Sequence, residues 1–123
     1  MELTPVIPSG RQVIESYGAR GFRVSGILYP HSILVFPDAT LEWPVSTMEG
    51  VRLQTLQPVV ERGTEILLLG CGARMTPVPA PVRQALKAAG ISIDAMDTGA
   101  ACRTYNVLMA EDRRVAAALL RPG

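Results

Sequence analysis

Between Glu65 and Gly70 the chain reads EILLLG, an apolar run of strand length with no alternation of polar and apolar positions. Such a strand must be covered on both faces, as strands inside an α/β sheet are. The next thirty residues keep to that plan. In PVRQALKAA (Pro81–Ala89), Val82, Ala85, Leu86 and Ala89 fall at i, i+3, i+4 and i+7, one apolar stripe of a helix. Pro81 suits its first position and Gly90 its left-handed stop. ISIDAM (Ile91–Met96) reads as a second strand. DTGAACRTYNVLM then opens with Asp97 or Thr98 as the cap of a helix that turns Ala101, Thr104, Tyr105 and Leu108 inward. Strands of one sheet joined through a helix run parallel. That geometry predicts that Gly70–Arg74 and Asp97–Arg103 meet at one carboxyl edge, where open α/β sheets bind ligands.

The first half carries a different pattern. RQVIESYG (Arg11–Gly18), GFRVSGILYP (Gly21–Pro30), SILVFPD (Ser32–Asp38) and TLEW are short β-rich runs separated by glycine and proline, which predicts antiparallel strands with tight connections. Thr55 caps a predicted short helix through Arg62, with Pro58 in its first turn and Gly63 at its end. The tail RRVAAALL stays open between helix, which alanine favours, and a strand. No repeat or long linker divides the sequence, so residues 1–123 form one α/β domain with an ordered core over 11–120.

Composition narrows the function. A net charge of +1 gives no general drive toward nucleic acid, and no basic run with interleaved aromatics occurs. Cys71, Cys102 and the single His31 are too few for a structural zinc, so neither metal nor cofactor is expected. Two cysteines give no disulfide framework, and a reducing cytoplasm is the expected setting. The start, MELTPVIPSG, lacks the pattern of a secretory signal, and no apolar run approaches the roughly 20 residues of a membrane span.

The glycines of LLLGCGAR suggest a nucleotide loop, with Asp97 as a ribose partner further on. The spacing fails. Met75 stands at the third glycine position, and Pro77, Pro79 and Pro81 keep the next helix away from the turn. Gly70 and Gly72 are then residues of a tight turn at a crowded edge.

Cys102, near the first turn of a helix and beside Arg103, is the candidate nucleophile, because helix N-termini and cations lower a thiol pKa. The sequence supplies no evident base for it, and a half-buried apolar filler is the other reading. Asn106, one turn later, is placed to orient the thiol or a ligand. Arg74 and Arg103 together suit a carboxylate or phosphate, or else hold the two loops to Asp97. Cys71 and Cys102 would form a regulated disulfide if their Cα atoms came within about 7 Å. Tyr105 reads as core with its hydroxyl at the rim, His31 as a turn residue, and Trp43 as a cover for one end of the sheet.

GFRVSGILYPHSILVFPD with Trp43, then LLLGCGAR, then DTGAACRTYNVL, in that order, resembles the Mth-type domain of unknown function, a family that includes the mitochondrial respiratory complex I assembly factor 3 proteins. The likeness runs from Ile14 to Leu120. It implies a three-layer α/β fold: a central mixed, mostly parallel sheet, flanking helices and extra strands from the first half. It also implies that VAAALL is a strand antiparallel to its neighbours. Gly70, Gly72, Thr98, Gly99, Thr104, Tyr105 and Asn106 match the family pattern, which brings no catalytic role with it. Cys71 stands where related sequences often carry threonine. The function this implies is a non-enzymatic assembly or interaction factor with a protein partner, of open oligomeric state. The alternative is an anionic-ligand protein or thiol enzyme whose site lies between the two loops: Gly70, Gly72 and Arg74 on one side, Asp97, Thr98, Gly99, Arg103 and Asn106 on the other.

Overall fold

The computed structural model describes residues 10–122. The amino-terminal stretch MELTPVIPSG, with its expected lack of a secretory signal, lies, but for Gly10, outside the described residues. Strands β1 (Ile14–Gly18), β2 (Gly21–Val24) and β3 (Ile27–Tyr29) form an antiparallel sheet in that order. The run GFRVSGILYP is therefore two strands. Its break is Ser25–Gly26, both at positive φ (45° and 85°), the two-residue turn whose twist suits a hairpin. The Ser25 hydroxyl supports this turn by accepting from the Val13 amide at 3.0 Å and donating to the Arg11 carbonyl at 3.2 Å.

The larger sheet contains β4 (Ile33–Phe36), β5 (Ala39–Glu42), β6 (Ile66–Gly70), β7 (Ser92–Met96) and β8 (Val115–Leu119), in the order β5-β4-β8-β6-β7. Helix α2 (Ala80–Ala88) joins β6 to β7, and α3 (Thr98–Ala110) joins β7 to β8. A pair of 3-10 turns and the short α1 (Gln57–Glu61) fill the connection from β5 to β6. Thr55 serves the 3-10 turn ahead of α1, accepting from the Arg52 amide at 3.0 Å and donating to the Gly50 carbonyl at 2.9 Å.

The sheet is mixed but not mostly parallel. β6 runs parallel to β7 and β8, while β4 is antiparallel to β5 and β8. The reason is connectivity: β4 and β5 are a hairpin with no helical crossover, so nothing forces them into the common direction. The VAAALL segment is a strand, yet antiparallel only to β4. Alanine's helix preference loses because β8 is hydrogen-bonded on both edges at the centre of the sheet.

Both faces of this sheet are buried, which explains the unbroken apolar run. Leu67 and Leu69 of β6 pack with Val59 of α1 and Val82 and Leu86 of α2. Leu68, between them, faces the other way and packs with Ile14, Phe22, Tyr105 and Met109. Trp43 is buried in the first of these clusters, its indole donating to the Thr55 carbonyl at 2.8 Å. On α3 the inward stripe is Thr98, Ala101, Cys102, Tyr105, Asn106 and Met109, so the predicted positions Thr104 and Leu108 are only half-buried. The shift follows from the three-residue and four-residue steps starting at Thr98, with β1 and β2 packed against that side.

Candidate functional site

The two loops at the carboxyl ends of β6 and β7 do meet. The Cys71 amide donates to the Met96 carbonyl, and the Thr98 amide to the Gly72 carbonyl, each at 2.8 Å. The Thr98 hydroxyl accepts from the Gly72 amide at 2.8 Å and donates to the Leu120 carbonyl at 2.7 Å. Gly70 passes so close that a Cβ there would lie 3.0 Å from both Thr98 Oγ1 and Leu119 Cδ2. Gly72 holds a φ of +92°, a backbone that favours glycine. This edge is fastened by its own groups. The amide an anion would use at Gly72 already has a partner.

At the start of α3, the Asp97 carboxylate accepts from the Ala100 amide at 2.9 Å and so acts as the helix cap. Gly99 lies under the Tyr17 ring, whose hydroxyl oxygen would be 2.7 Å from an added Cβ. Arg103 donates to that hydroxyl at 2.7 Å. Arg74 is exposed, and among the described residues its guanidinium forms no hydrogen bond or ion pair. The described contacts therefore pair Arg103 with Tyr17 rather than with Arg74 around a common anion.

The cysteines differ from expectation. Cys102 is fully buried, and burial pushes its thiol up to about 12, with neighbouring Arg103 offsetting only part of that. Desolvation outweighs the helix terminus, so an activated thiolate at this position is corrected to an inert core thiol. Cys71 belongs to the cluster on the opposite face of the sheet, its Sγ donating to the Thr76 carbonyl at 3.4 Å. Both thiols are free and lie in clusters on opposite faces of the sheet, which the expected disulfide would have to bridge. Asn106 is turned to the backbone of β1 rather than to the thiol. Its side chain accepts from the Ile14 amide at 3.0 Å and donates to the Ile14 carbonyl at 2.8 Å, binding α3 to β1. Tyr105 is core, and its hydroxyl donates to the Gln12 carbonyl at 2.9 Å, with burial raising its pKa.

A cavity of about 370 Å³ lies across β8 from these loops, lined by His31, Ser32, Glu42, Trp43 and Arg121 among others. His31 Nε2 stands 3.9 Å from the Glu42 carboxylate, and Arg121 donates to the Pro30 carbonyl at 2.9 Å. Sequence reading missed this site. Only the strand order, which sets the start of β4 beside the end of β8, brings His31 and Arg121 together. Among the described residues no group of three or more His, Cys, Asp or Glu could hold a metal ion, and no helix is long and apolar enough to cross a membrane.

The fold and its sealed carboxyl edge define a small mixed α/β domain with an antiparallel β-sheet docked beside its third helix. The chain belongs to the family described as protein of unknown function DUF498/DUF598, whose model matches residues 14–120. It is 38% identical, over 93% of its length, to the zebrafish (Danio rerio) NADH dehydrogenase [ubiquinone] 1 alpha subcomplex assembly factor 3. It is 33% identical, over 89% of its length, to the human protein of the same name. The chain spans 67% of the zebrafish protein and 60% of the human one. Its fold matches the solution structure of a Mth938-like domain from Bordetella pertussis with a TM-score of 0.84, at 29% identity, covering all of this chain and 94% of that one.

Proposed function

We propose that this domain works as an assembly-factor-like protein that holds a protein partner. The observation that carries this reading is the likeness to assembly factor 3 proteins along 93% of the chain. The local chemistry agrees with it. Thr98 and Asn106 spend their polar groups on backbone atoms of this chain, and the Cys102 thiol is buried. A small anionic ligand between Gly70–Arg74 and Asp97–Arg103 would have to compete with Thr98 for the Gly72 amide.

The β3 strand supports a partner surface. Among the described residues it pairs only with β2, which leaves its other backbone edge without a described partner, and Ile27 and Leu28 are 57% and 51% exposed. An edge strand with exposed apolar side chains is a template for an added strand from another chain. On this reading the exposed guanidiniums of Arg74 and Arg103 meet acidic side chains of the same partner.

The test is affinity purification from the native cell at endogenous level, with the wild-type chain and an Ile27→Asp/Leu28→Asp variant. The expected result is one enriched protein with the wild type and its loss with the variant, while both chains melt alike. No enriched protein with the wild type, or equal recovery with both, would overturn the assignment.

A further inference from the structure

At the opposite edge of the large sheet, where β4 ends and β6 and β8 begin, lies a groove of about 450 Å³. Its lining includes arginines from three separate stretches of chain: Arg11, Arg62, and the pair Arg113 and Arg114. Two lining aspartates oppose them. Arg11 donates to Asp112 at 2.6 Å and Arg62 to Asp38 at 3.1 Å, and Arg114 pairs with Glu65. Arg113 has no acidic partner among the described residues, so the groove keeps an excess of positive charge.

The pairs are uneven in a way that matters. The Arg11 and Arg62 side chains are 31% and 35% exposed, against 80% and 79% for the aspartates they meet. The cations are held by the protein and the carboxylates stand in water. Such exposed pairs are worth about 1 kcal/mol or less, so an incoming anion displaces them at small cost. Arg62 is further held over the Phe36 ring, 4.6 Å from its centroid.

Thr64 is the independent observation. It lines the groove at 7% exposure, and its hydroxyl has no hydrogen-bond partner among the described residues. Among those residues every side-chain polar atom sealed from solvent does have a partner. On the described residues, then, the Thr64 oxygen keeps contact with solvent, and the groove is the opening that Thr64 lines. The carboxyl end of α3 accounts for some of the positive charge, because cations favour that end of a helix. It does not account for arginines arriving from positions 11 and 62, or for a lining hydroxyl without a partner among the described residues.

We infer that this groove binds the phosphate group of a small phosphomonoester, with Arg113, Arg62, Arg11 and the Thr64 hydroxyl on the phosphate oxygens and the organic part along the half-buried Pro37. Guanidinium groups suit phosphate because each presents paired donors. The volume is that of an ordinary small-ligand site.

The experiment is an amide NMR titration of the full chain with inorganic phosphate and with phenyl phosphate, at fixed ionic strength. Saturable shifts are expected at residues 62–65 and 112–115, with phenyl phosphate binding the tighter. Arg113→Gln should weaken phosphate binding about tenfold and Thr64→Val about threefold, the sizes expected on losing a charged or a neutral hydrogen bond. Arg20→Gln, an equal change of charge on the distant β1–β2 turn, should bind as the wild type does. Shifts that never saturate, or equal weakening by Arg20→Gln and Arg113→Gln, would reduce the effect to general electrostatics and overturn the site. Equal affinity for the two probes would overturn the organic half of the assignment.

Discussion

The side chains of Thr98 and Cys102 are one helical turn apart on α3, and both are fully buried. Thr98 can be buried because its hydroxyl both accepts and donates. Cys102 can be buried because a neutral thiol behaves as a small apolar group. That state has a measurable consequence. The folded chain holds the Cys102 proton until about pH 12, whereas an unfolded thiol gives it up near pH 8.5. The native state thus binds the extra proton in between, and stability falls as pH rises through that window, at up to about 1.4 kcal/mol per pH unit. Below the unfolded value the contribution is complete. Urea unfolding at pH 8 and at pH 10 should show a loss in the wild type, and Cys102→Ala should show a smaller one. An equal loss in both chains would mean that the thiol is open to solvent.

At the scale of elements, Asn106 joins α3 to β1 through two hydrogen bonds with the backbone of Ile14. Asn106→Leu keeps the side-chain volume but leaves the Ile14 amide and carbonyl buried without partners. At about 1–3 kcal/mol for each unsatisfied group, a loss of about 2–6 kcal/mol is expected. Hydrogen exchange should show it first in β1, whose amides should lose protection before those of β6. Equal protection loss in both strands would argue against a local joint. The sequence made the strands and helices of the second half readable, since Leu67–Leu69 and Val82/Leu86 obey the two simple periods. The role of Asn106 was not readable, because its partner lies 92 residues away. The Ser25–Gly26 break was equally hidden, since serine is not the residue that positive φ favours and its hydroxyl contacts become visible only with β1 in place. VAAALL stayed open on local propensity, and its place between β4 and β6 decides for the strand.

For the whole molecule, the question is whether the β1–β3 sheet is an appendage or part of the structural core. Ile14, Phe22 and Val24 are fully buried, and they share a cluster with Ile33 and Val35 of β4, Leu119 of β8, and Tyr105. Removing everything before Ser32 would uncover that face, strand Asn106, and take away the Gln12 carbonyl that Tyr105 meets. Losing burial of three large apolar side chains alone costs about 5–9 kcal/mol, at about 1.5–3 kcal/mol each. Whole domains are stable by about 5–15 kcal/mol. A chain beginning at Ser32 should therefore fail to fold, giving a poorly dispersed amide spectrum and no cooperative melt. A dispersed spectrum with a sharp transition would instead make β4–β8 and their helices a self-sufficient unit. The small sheet would then be free to separate from α3, and a partner strand added at β3 would act on a movable part instead of the folded body. The shared cluster predicts the first result, and with it a binding edge held rigidly by the same side chains that close the core.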